Sequence, residues 1–233
     1  MNGFYSSGVK GDGALAGVVL IILGLYFSFI AHRHPKMTMH TSIWLVLFSL
    51  TYFLCVRVNP PIPTNMTRRV LYLILSMGMA ALATMIIRCF KFFHIRENLA
   101  LIFQGGAAGV AFSFYLLSLY DNGLIGKNGA RVVFIMFWVV FGLFLNLFYP
   151  RYMAPAVYPI IGAYLFMVGV DCFARTGWIV HLALFTHAYP DAFYHTSRGT
   201  QSEIAATLIL AVMGCAFQRH QLLYWENAPF DIY

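Results

Sequence analysis

The stretch ALAGVVLIILGLYFSFIA, residues 14–31, runs for 18 positions without a charged side chain. A soluble amphipathic helix would place polar residues on its outer face, and this run has only Tyr26 and Ser28 to place, so its solvent is hydrocarbon. It is too long for a signal-peptide core and no small-residue cleavage site stands beside it, so it is expected to remain as the first membrane helix. Working outward, apolar runs of similar length recur at Ser42–Val58, Val70–Phe90, Asn98–Tyr120, Val132–Tyr149, Met153–Ala174 and Glu203–Leu223. Each approaches the roughly 20 residues needed to cross a bilayer core. The expectation is an all-α, polytopic membrane protein with about seven transmembrane helices in one bundle.

Composition agrees: 61% of the 233 residues are hydrophobic, 10% are charged and the mean hydropathy is +0.74, against about one quarter charged in a soluble domain. Residues 1–13 form a short N-terminal segment, 14–223 the membrane domain and 224–233 a C-terminal tail, with no room for a soluble catalytic domain. The net charge of +7 comes from 15 Lys and Arg against 8 Asp and Glu. These cations sit in the short joints and read as headgroup and topology charges. No basic stripe with interleaved aromatics appears, so nucleic acid is not an expected partner. Cys55, Cys89, Cys172 and Cys215 lie in or beside apolar runs without CxxC spacing and read as small packed hydrophobes.

The joints carry the punctuation of helix ends: His32-Arg33-His34-Pro35-Lys36, Asn59-Pro60-Pro61-Ile62-Pro63, Asp121-Asn122-Gly123 and Pro150-Arg151. One connection is long, Arg175 to Ser202, and its apolar start points to an interfacial or re-entrant segment over about 177–189. Cations divide almost evenly between the two sides, so charge does not orient the bundle. The sequon Asn65-Met66-Thr67 makes Asn65 a candidate glycosylation site and places the N-terminus outside. Met1–Gly13 lacks the Arg-rich pattern of a presequence, which favours the plasma membrane or an endomembrane over the mitochondrial inner membrane.

Small residues mark expected helix-packing positions: Gly105 and Gly109 on the fourth span, Gly162 and Gly169 on the sixth, and Gly24, seven residues after Gly17, on the first. Asp171 is the acid placed inside a span, where an uncompensated carboxylate costs about 2.5–3.5 kcal/mol. Arg175 follows at i+4, so an intramembrane ion pair is expected, and Asp171→Asn should then be mild. Thr200-Gln201-Ser202-Glu203 fits a capping box opening the last span. His181, His187, Asp191 and His195 have metal-ligating side chains but match no zinc spacing, so no metal is assigned. No GxSxG, P-loop, HExxH or paired carboxylates appear, and the last span has no lysine for a retinal Schiff base. Neither an enzyme nor a cofactor is expected.

Gly162 to Gly169, Asp171-Cys172-Phe173, Arg175-Thr176-Gly177, Glu203-Ile204-Ala205-Ala206, Gly214 and Gln218, with Gly24-Leu25-Tyr26 and the Gly-rich fourth span, form a pattern with a family likeness. It resembles the domain shared by seven-transmembrane superfamily member 3 and transmembrane protein 198, which also occurs in fungal proteins. The resemblance implies a seven-helix bundle with its N-terminus outside, a signalling or scaffolding setting, and no established catalytic residues. The expected function is a structural or scaffold subunit packing with lipids, other membrane protein subunits or copies of itself. The alternative is a channel or transporter for an ion or small solute, built around Pro155, Pro159, Tyr158, Tyr164 and Asp171.

Overall fold

The computed structural model describes residues 11–58, 66–89, 93–121, 123–185 and 194–226. Among these every regular element is helical: α1 (Gly11–Leu25), α2 (Pro35–Val58), α3 (Met66–Cys89), α4 (Phe93–Leu117), α5 (Asn128–Phe148), α6 (Pro150–Ala174), α7 (Val180–Phe185) and α8 (Arg198–Glu226). Six segments are long and apolar enough to cross a membrane: Ala14–Arg33, Pro35–Cys55, Glu97–Leu117, Asn128–Phe148, Pro150–Ala174 and Arg198–Leu223. The stretch Leu71–Ile87 of α3 is a shorter apolar helix that coincides with the third of the seven spans expected from sequence. The protein is a multi-pass helical membrane bundle.

The long helices all begin earlier than hydropathy suggests, most of all α2 at Pro35 rather than Ser42, then α4 at Phe93 rather than Asn98 and α8 at Arg198 rather than Glu203. Polar residues lower hydropathy without ending a helix, and a Pro at the first helical position is pre-set for one. The same device lets α6 follow α5 across the single residue Tyr149. Five hydroxyls inside the helices are satisfied locally: Ser42, Ser49, Thr51, Ser76 and Thr84 each donate to the carbonyl four residues back.

Helix α6 is the hub, with α1, α8, α4 and the turn after α1 packed around it, while α4 pairs closely with α5 and α3 leans chiefly on α2. Glycine makes the closest approaches. On α1 and α6, a Cβ at Gly24 would lie 2.5 Å from Phe166 N, one at Gly162 would lie 2.6 Å from Gly24 O, and one at Gly169 would lie 2.8 Å from Gly17 O. On α4, a Cβ at Gly105 would lie 2.5 Å from Gly142 O on α5, and one at Gly109 would run into the Trp138 carbonyl. Backbone here meets backbone, a contact that lipid tails cannot supply.

After α1 the chain widens into a π-helical turn, Tyr26–Ile30, closed by the Ala31 N–H donating to Tyr26 O. Such a turn misaligns carbonyls, and two of them are claimed from α8: Gln218 Nε2 donates to Phe27 O at 2.7 Å and to Ser28 O at 2.9 Å. Next to it Tyr26 and Thr38 share a hydroxyl contact of 2.8 Å, and Thr38 donates to Ala31 O at 2.6 Å. Gln104 Nε2 reaches Ser42 Oγ at 3.2 Å, and Asn146 donates to Leu101 O at 2.8 Å. Each of these buried amides fastens one helix to another.

Candidate functional site

At the end of the bundle where α6 stops and α8 starts, buried polar groups converge. Helix α6 ends because Arg175 turns left-handed, φ 55° and ψ 38°, with its N–H donating to Asp171 O at 2.9 Å, and Gly177 follows at φ 95°. The reversal folds residues 176–179 back over the helix end. Asp171, 1% exposed, receives them: Oδ1 accepts from Thr176 N at 2.7 Å, Thr176 Oγ1 at 2.9 Å and Gly177 N at 3.3 Å, and Oδ2 accepts from Ile179 N at 2.6 Å.

The Asp171–Arg175 ion pair expected from sequence is therefore not formed. An i+4 pair requires the helix to continue through both residues, and Arg175 is where it leaves helical geometry. Asp171 instead caps a turn with backbone donors.

Glu203 is corrected in the same way. Ser197 caps α8, its Oγ accepting from Thr200 N at 3.2 Å and lying 2.9 Å from Thr200 Oγ1. Thr200 is thus the third residue of the helix and not its cap. Glu203, 5% exposed, points into the protein, with Oε2 2.7 Å from Thr176 Oγ1 and Oε1 buried without a partner. One threonine hydroxyl joins two buried carboxyl groups from different helices.

Beneath them lies an aromatic box in which Trp178, His181 and Tyr194 are fully buried and Tyr164 nearly so. Ring centroids are 4.9 Å apart for Trp178 and His181, 5.5 Å for Tyr164 and Trp178, and 6.0 Å for His181 and Tyr194. His181 Nδ1 meets the Trp178 carbonyl, which makes it the protonated nitrogen, so Nε2 accepts from Tyr164 OH at 2.6 Å. Tyr194 OH donates to Ser118 O at 2.8 Å, tying the long connection to the end of α4. At the rim Asp121 accepts from Thr196 N at 2.6 Å and lies 3.1 Å from His195 Nδ1. The Thr196 N–H first, and the imidazole after it, hold this exposed carboxyl below the usual carboxylate range.

Burial pushes His181 down from its ordinary 6.5 to about 4. A histidine packed neutral favours the packed state above its unfolded value, and that preference is lost as pH falls from about 6.5 toward 4. At about 1.4 kcal/mol for each pH unit the loss amounts to about 3 kcal/mol. Thermal unfolding in detergent over this window should show the midpoint falling with acid in the wild type and a flatter response in His181→Gln.

Of the residues singled out from sequence, the structure brings Asp171 and Glu203 together, turns Arg175 away as a cap, and seats Gly24, Gly105, Gly109, Gly162 and Gly169 at helix contacts. His181 and His195 take separate roles, one in the box and one at the rim. Asn65, His187 and Asp191 lie outside the described residues. What sequence reading passed over is the π-helical turn and the part played by Thr176, Gln104, Asn146 and Gln218. A lone amide inside an apolar run was the available signal, since it needs a partner in hydrocarbon.

The family model for the TM7S3/TM198-like domain matches residues 17–219. Neither the curated proteins nor the solved structures yielded a match.

Proposed function

The chain belongs to the TM7S3/TM198-like domain family, and from that premise we propose that it is a structural or scaffold subunit of the plasma membrane or an endomembrane. It has no catalytic activity of its own, and its partners are lipids and other membrane helices, from different proteins or from second copies, rather than nucleic acid. The observation that carries this reading is helix α3. It leans chiefly on α2 and leaves Leu71, Ile74, Leu75, Met79, Leu82 and Met85 exposed. In their midst Gly78 meets nothing within 4 Å where a side chain would stand. By contrast Gly17, Gly24, Gly105, Gly109, Gly142, Gly162 and Gly169 seat against the backbone of a neighbouring helix. A glycine notch on a peripheral helix fits a helix from outside better than it fits lipid.

Gly78→Leu separates assembly from folding. It should leave the thermal stability of the isolated chain unchanged or slightly higher, since glycine costs a helix about 0.5–1 kcal/mol. It should also abolish co-purification of the partner in mild detergent. A complex that survives Gly78→Leu intact would refute this assignment of the face.

The second reading is ion-coupled transport, and one observation favours it: two buried carboxyl groups, Asp171 and Glu203, meet inside the membrane domain. The remaining buried amides support the scaffold reading, because they close helix contacts instead of lining a path. Flux in proteoliposomes that disappears in a well-folded Glu203→Gln variant would favour transport.

A further inference from the structure

Thr176 Oγ1 stands 2.9 Å from Asp171 Oδ1 and 2.7 Å from Glu203 Oε2. Two oxygen–oxygen contacts that short each need a hydrogen between the atoms, and a threonine hydroxyl owns one. The second hydrogen has to come from a carboxyl group. Asp171 is surrounded by donors, receiving N–H bonds from Thr176, Gly177 and Ile179 that suit a carboxylate and leave no room for a proton. Glu203 receives no such bonds: its Oε1 is buried without a partner and the residue is 5% exposed.

We propose that Glu203 holds a proton at neutral pH, donating it through Oε2 to Thr176 Oγ1, whose own hydrogen goes to Asp171 Oδ1. This bound proton is a latch that fastens the start of α8 to the end of α6 and to the reversal at residues 175–179. When Glu203 gives its proton to water, two carboxylates face each other across one hydroxyl and a contact becomes repulsive. The latch then opens on the side of the membrane that also carries residues 118–121, 123–127 and 194–197. It is a pH-responsive device for whatever compartment that side faces.

Among the described residues, the titratable groups around Glu203 are few. Helix α6 presents Asp171, and the segment before α8 presents Tyr194, which lies within electrostatic reach of both carboxyls. Helix α1 has no titratable side chain from Ala14 to Leu25. The π-helical turn packs against the far end of α8, at Gly214 and Gln218. The latch does not depend on the scaffold reading, because it concerns a proton within one chain and not a partner.

Infrared difference spectroscopy of the purified full chain in lipid nanodiscs tests it. The wild type should show a carboxylic-acid C=O band at neutral pH that shifts in D2O and bleaches as pH is raised. Glu203→Gln should lack the whole band yet stay folded, because its amide still donates to Thr176. Its thermal midpoint should hold from neutral to alkaline pH while that of the wild type falls. Absence of the band in the wild type at neutral pH would overturn the proposal. So would a band that persists in Glu203→Gln and vanishes in Asp171→Asn, which would put the proton on the other acid.

Discussion

Asp171→Leu is expected to cost about 5 kcal/mol, because it strips the acceptor from three backbone N–H groups at once and each buried unsatisfied donor costs about 1–3 kcal/mol. Thr176 and Ile179, bonded at 2.7 and 2.6 Å, carry most of that loss, and Gly177 at 3.3 Å carries least. The asparagine variant is more discriminating. Were Asp171 simply the partner of Arg175, an amide would still accept from the guanidinium and Asp171→Asn would be mild. In the structure both carboxylate oxygens accept from backbone N–H groups, so the amide must aim its own N–H at one of them. Asp171→Asn is therefore expected to lose about 1–3 kcal/mol, the cost of a donor left unmet. Thermal unfolding in detergent measures both variants, and an asparagine variant as stable as the wild type would contradict the cap.

Gly109→Leu should be as damaging by a different route. A Cβ at Gly109 would press on the Trp138 carbonyl and lie 2.7 Å from Val139 Cα, so the obstacle is main chain and no rotamer change relieves it. Overpacking a core against side chains costs about 1–3 kcal/mol. Here α4 and α5 must separate along their length, which also breaks the Asn146 bond to Leu101 O. Loss of the folded, monodisperse species is expected by size-exclusion chromatography. Gly78→Leu in the same preparation is the matched control, since its side chain enters open space.

These expectations show which parts of the molecule can be read from sequence and which cannot. The spans were legible because a run such as residues 14–31 has no polar face to offer water. The seven-residue spacing of Gly17 with Gly24 and of Gly162 with Gly169 likewise marks positions that share a helical face, and the structure opposes the two pairs. Asp171 was legible as a residue needing compensation, but its partner was not. The i+4 rule assumes a helix that continues, and a left-handed Arg175 carries no sequence signal, because residues other than glycine rarely adopt that conformation. At the start of α8 the sequence pattern Thr200-Gln201-Ser202-Glu203 points to a cap at Thr200, whereas Ser197 fills that role in the structure. Glu203 is drawn away from the helix start by Thr176, a tertiary contact 27 residues apart that a local pattern does not carry. The Gln218 contacts with Phe27 and Ser28 span about 190 positions and follow from packing alone.

The proposed role rests on the face of α3 being covered by another helix in the native membrane. Native mass spectrometry of the protein, extracted with its surrounding lipid into nanodiscs without detergent, addresses this most directly. A defined stoichiometric assembly, heavier than the 26.3 kDa chain by at least one further polypeptide, is the result predicted. A species of one 26.3 kDa chain with lipid alone, which also carries a robust ion flux, would contradict the scaffold role.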